Sequence, residues 1–118
     1  MDQHEIPDDE NGCVLKRMIA SGDDITIPRK VNFSVVFPDE ASARVFREIV
    51  LVMWDDVDIY FSDVVCELPW DVTVSVFMAP SHREITDVES CLGEQAAKLG
   101  GRNDGWGCFE RSAESQIN

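Results

Sequence analysis

The sequence predicts an α+β domain of the ferredoxin-like type: an extra N-terminal helix, then a β-α-β-β-α-β series whose antiparallel sheet carries two helices on one face. Three observations predict it. Two stretches, Arg29 to Phe37 and Trp70 to Met78, alternate apolar and polar residues with the period of a half-buried strand. Two other stretches keep apolar residues at helical spacing, and each opens on a capping residue, Asp39 and Ser81. Proline and glycine fall between these segments, at Pro28, Pro38, Pro69, Pro80 and Gly100-Gly101.

Residues 1–10 are polar and acidic and are expected to form a loose arm, 11–110 a single domain, and 111–118 a flexible tail. Val14, Leu15, Met18 and Ile19 mark one face of a first helix, with Asp8, Asp9 and Asn11 as available caps and Gly22 as the stop. So short a helix must be held by docking rather than by propensity. In the first strand Val31, Phe33, Val35 and Phe37 form the buried face, alternating with Asn32, Ser34 and Val36. The second helix, capped by Asp39, is expected to bury Ala41, Val45, Phe46, Ile49, Val50 and Met53, with Arg44, Arg47 and Glu48 off the stripe.

Asp55-Asp56 breaks that helix. A second strand is expected from Val57 to about Val65, with Val57, Ile59 and Phe61 on one face. Pro69 should lie outside the hydrogen-bonded ladder. In the third strand Trp70, Val72, Val74, Val76 and Met78 share a face, opposite Asp71, Thr73 and Ser75. Ser81-His82-Arg83-Glu84 is a capping box for a third helix, whose stripe is Ile85, Val88, Leu92, Ala96 and Leu99. The Gly-flanked segment Asp104 to Phe109 reads as a last strand. Right-handed crossovers would place both helices against the Val31-to-Phe37 and Trp70-to-Met78 faces.

Ten basic residues face 23 acidic ones, a net charge of −13. Such a field repels phosphate backbones and attracts basic surfaces, which argues against direct nucleic-acid binding and reads equally as a device for solubility or as complementarity to a basic protein partner. The acidic start Met1-Asp2-Gln3-His4-Glu5 lacks the basic and apolar regions of a signal peptide, so a cytoplasmic location is expected. Cys13, Cys66, Cys91 and Cys108 form no C-x-x-C pair and are read as reduced, packed thiols. No apolar run approaches a membrane span.

The chemical motifs point away from catalysis. His4 and His82 belong to no metal-ligand spacing, and no metal or cofactor is expected. Cys91 and His82, in one helix, stand about 13 Å apart along its axis, too far for a nucleophile pair. No glycine pattern makes a phosphate loop. Asp55, Asp56 and Asp58 lack the central Gly and terminal Glu of a calcium loop. Trp70 reads as core or core edge, Trp54 as core or a partly exposed surface aromatic, and Trp106, between two glycines, as packed against the sheet rather than as a binding anchor.

The run Gly100-Gly101-Arg102-Asn103-Asp104-Gly105-Trp106-Gly107 resembles the C-terminal signature of the regulator of ribonuclease E activity B family, RraB. Gly22-Asp23-Asp24, then Pro28-Arg29, then Trp70-x-Val72-x-Val74 are similar to the family at pattern level. The residue-by-residue match is Asp104, Gly105, Trp106 and Gly107, and Asp55 stands where the family pattern has glycine. The resemblance implies a ferredoxin-like, non-enzymatic protein that inhibits RNase E by binding its Arg-rich, non-catalytic scaffold region. Two other readings accompany it: a small acylphosphatase-like enzyme using Arg29 and Asn32, and a dimeric ligand-sensing module of the same fold.

Overall fold

The computed structural model describes residues 9–62 and 67–108. The expected arm lies almost wholly outside the described residues, and so do the tail, Cys66, Phe109 and the stretch expected to extend the second strand to Val65.

Helix α1 (Glu10–Ala20) is capped by Asp9, whose carboxylate accepts from the Gly12 N–H at 2.8 Å. It closes with Gly22 N–H donating to the Ile19 carbonyl and Asp23 N–H to the Met18 carbonyl, both at 3.0 Å. That crossed pair is the turn that a left-handed residue such as Gly22 permits. Strand β1 (Arg29–Phe37) follows, then helix α2 (Glu40–Val50), capped by Asp39 through the Ser42 N–H at 2.7 Å. Next come β2 (Val57–Phe61), β3 (Trp70–Met78), helix α3 (His82–Ala97), capped by Ser81, and β4 (Arg102–Cys108).

The domain is α+β, with one antiparallel four-stranded sheet in the order β2-β3-β1-β4. β1 and β3 are central, in register from Arg29 opposite Met78 to Phe37 opposite Trp70. Partners across an antiparallel ladder share a face. Val31, Phe33, Val35 and Phe37 therefore join Val72 and Val74, all of them 0–1% exposed. α2 and α3 pack against the sheet and each other. Phe46 of α2 meets Phe37 with ring centroids 4.8 Å apart, and Ile85, Leu92 and Ala96 of α3 are fully buried. Each such large apolar side chain stabilises the fold by about 1.5–3 kcal/mol.

The opposite face is polar. The Ser34 hydroxyl donates to Asp71 at 2.6 Å, Thr73 to the same carboxylate at 3.1 Å, and Ser75 to the Asn32 side-chain oxygen at 2.7 Å.

Two expectations change. α2 buries Ala43, Phe46 and Val50, while Ala41, Val45 and Met53 are exposed. The sheet selects one of two overlapping apolar stripes, and the helix stops at Val50 before Met53 can join it. Among the described residues β2 spans Val57–Phe61, and the Ser62 N–H carries the pairing on by donating to the Pro69 carbonyl at 2.6 Å. Val36 is 3% exposed despite lying opposite the core face, flanked across the ladders by Asp71 and Arg102.

Candidate functional site

β4 forms one edge of the sheet. Its register places Trp106 opposite Phe33 and Cys108 opposite Val31, on the core face. Asn103 lies opposite Val35, also on that face. Residues 103 and 106 would point to opposite sides of a regular strand. They share a side because the register shifts between Phe33 and Val35, which leaves one extra residue on β4 at Asp104-Gly105. Gly105 takes φ 105°, a conformation a side chain would strain.

The bulge aims both side chains at the helices. The Asn103 amide donates to the Glu89 carbonyl of α3 at 2.8 Å. A Cβ on Gly93 would stand 2.8 Å from that amide, so α3 lacks a side chain where Asn103 approaches. The Trp106 indole N–H donates to the Asn11 side-chain oxygen of α1 at 2.9 Å. Asn11 in turn donates to the Glu89 carboxylate at 2.8 Å and to Thr86 at 3.3 Å. The Asn-Asp-Gly-Trp segment thus ties α1, α3 and β4 together. Asp104 and Gly107 are exposed.

Trp106 lies where three clefts meet. One of about 270 Å³ lies between α1 and β4, lined by Val14, Arg17, Met18 and Cys108. Another of about 240 Å³ is bounded by Asn11, Glu89 and Asn103, and a third opens on the polar sheet face beside Asn32, Ser34 and Thr73. Burial pushes the Cys108 thiol up, against the weaker opposing pull of Arg29. Cys13, Cys91 and Cys108 are unbridged.

The second conspicuous construction is a buried ion pair. Arg29, at the start of β1, donates to Asp23 at 2.8 Å, with the two side chains 1% and 2% exposed. The same guanidinium donates to the Asp24 carbonyl at 2.7 Å and the Ile27 carbonyl at 3.2 Å, which pins the α1–β1 loop. This accounts physically for the Gly22-Asp23-Asp24 and Pro28-Arg29 signals; sequence reading alone noticed the residues but missed their pairing. Arg29 and Asn32 do not converge. Arg29 is spent on Asp23, and Asn32 lies on the polar face with Ser75.

His82 stands 2.7 Å from Asp9, linking the starts of α1 and α3. The Gly12 N–H, and then His82, hold the Asp9 carboxyl below its ordinary range. The exposed Lys30 pairs with the half-buried Asp56 at 2.7 Å. Among the described residues no group of His, Cys, Asp and Glu could hold a metal ion, and no helix is long and apolar enough to cross a membrane.

Comparison with the curated proteins finds no match. The family model described as Regulator of ribonuclease activity B matches residues 8–108, from the cap of α1 to the end of β4, and spans both constructions that hold the domain together. The chain belongs to the RraB family, a family of regulators of ribonuclease activity.

Proposed function

We propose that the chain is an acidic, non-enzymatic regulator that binds RNase E through an Arg-rich segment of its scaffold region and thereby restrains RNA decay in the cytoplasm. The observation that carries this reading is the family match over residues 8–108. The charge supports it independently. A surface of net −13 favours a basic polypeptide through electrostatic complementarity and disfavours the RNA itself. The engagement of Arg29 by Asp23 counts against the acylphosphatase-like alternative.

The same reading takes residues 11–110 as one domain of the ferredoxin-like class. The β-α-β-β-α-β order after α1 supports it, as does a sheet with β1 and β3 at its centre. Asp104, Gly105, Trp106 and Gly107 serve in it as the clasp that holds α1, rather than as the partner's contact.

RNA cleavage by full-length RNase E from the host, compared with an RNase E lacking the scaffold region, tests the proposal. The protein should slow the first and leave the second unchanged. Equal effects on both enzymes, or none on either, would refute scaffold-directed regulation.

A further inference from the structure

β2 is the other edge of the sheet, and among the described residues its outer side pairs with nothing. Two backbone bonds fix its parity. The Ser75 N–H donates to the Asp56 carbonyl at 2.9 Å, and the Ser62 N–H donates to the Pro69 carbonyl. In the register Val57↔Val74 to Phe61↔Trp70, the even-numbered residues Asp58 and Tyr60 therefore exchange hydrogen bonds with β3. The N–H and C=O groups of Val57, Ile59 and Phe61 point outward, as a template for another strand.

The side chains at this edge are apolar and partly bare. Phe61 is 65% exposed and stacks edge-on against Trp70 at 5.2 Å, and Tyr60 is 53% exposed. Asp58 lies within the strand, Asp55 and Asp56 precede it, and Glu67 stands beyond the far end; Lys30 meets Asp56. Two copies pairing edge to edge would bring these carboxylates together, and the whole chain, at −13, repels a second copy. A basic strand meets the opposite situation.

We propose that the outer edge of β2 accepts a basic, extended polypeptide segment as an additional antiparallel or parallel strand. Its main chain bonds to Val57, Ile59 and Phe61. Its arginine or lysine side chains meet the aspartates, and the residues between them pack beside Ile59 and Phe61. This rests on the proposed function for the identity of the partner, but not for the surface.

The test uses two probes on the full chain: the Arg-rich scaffold segment of RNase E, and a synthetic nonapeptide alternating arginine and valine. Amide hydrogen exchange is followed with and without each probe. Binding is also measured for Asp58→Lys, which inverts one edge charge, and for Phe61→Pro, which removes an outward N–H and leaves the β3 ladder bonded; the melting temperature of each variant verifies folding.

Protection of Ile59 and Phe61 by both probes, with about tenfold or greater loss of affinity in the folded variants, is the expected result. If Phe61→Pro does not fold, Asp58→Lys and the exchange pattern decide. Scaffold binding with protection elsewhere and unaltered affinity in Asp58→Lys overturns the β2 edge and leaves the proposed function standing. Protection by the synthetic peptide alone supports the edge and refutes the RNase E assignment. No protection of β2 by either probe overturns the inference.

Discussion

Trp106 is half-buried, its ring on the core face of β4 and its N–H committed to Asn11. Two substitutions separate these contributions. Trp106→Phe keeps most of the apolar contact and strands the Asn11 oxygen, a loss of about 1 kcal/mol. Trp106→Ala also opens a cavity between α1 and β4, for a total of about 3 kcal/mol and a fall in melting temperature of roughly 10 °C or more. Thermal unfolding of both variants checks the order. A Trp106→Ala protein that melts with the parent yet fails to bind would identify Trp106 as an anchor instead. Arg29 makes a sharper case, because removing one partner of a buried pair strands a charge. Arg29→Ala should cost about 3–5 kcal/mol by denaturant unfolding, and Arg29→Met combined with Asp23→Leu should recover much of it. An additive double variant would show that the pairing of the two residues is not what holds the loop. Neither partnership was legible in the sequence, since each joins residues whose proximity depends on the fold. The glycines around Trp106 were visible as a signal of close approach, but the bulge behind them needs the register against Phe33 and Val35.

β1 and β3 were the most legible elements, because period-two alternation bounded by proline constrains both ends of a central strand. α2 was legible in position but not in phase. Its apolar residues form two overlapping stripes, and only contact with Phe37 decides which is buried. β2 was legible in its start at Val57. α1 is held to α3 partly by polar contacts, Asp9 to His82 at the two helix starts and Asn11 to Glu89 farther along α3. The Asp9 contact makes this docking sensitive to acid. The Asp9 and Asp39 carboxyls are held below the ordinary range by the helix amides they cap, with His82 adding to Asp9 and the Ser42 side chain to Asp39. Their folded pKa values are depressed, so the stability they confer is present above the ordinary aspartate pKa and fades as pH falls through the folded values. Asp9→Asn should flatten part of the acid limb of a stability-against-pH curve, measured by urea unfolding between about pH 2 and 5. An unchanged limb would place the acid sensitivity elsewhere.

At the scale of the whole molecule, the family was legible from a short glycine-rich run, and the charge supplied the expectation of a basic protein partner. The proposed docking edge was not legible. An edge strand becomes a surface only once the sheet order leaves it unpaired, and the outward groups of Val57, Ile59 and Phe61 follow from backbone parity rather than residue type. Charge makes the strongest demand on the account. A field from 23 acidic and ten basic residues acts on a basic partner mainly through solvent, where it is screened beyond about 8 Å at physiological salt. Titrating the protein against the Arg-rich scaffold segment of RNase E at low and at high ionic strength measures that demand directly. The expected result is saturable binding whose affinity falls by about tenfold or more between roughly 50 mM and 500 mM salt. No binding at low salt, or an affinity that does not change with salt, would contradict it.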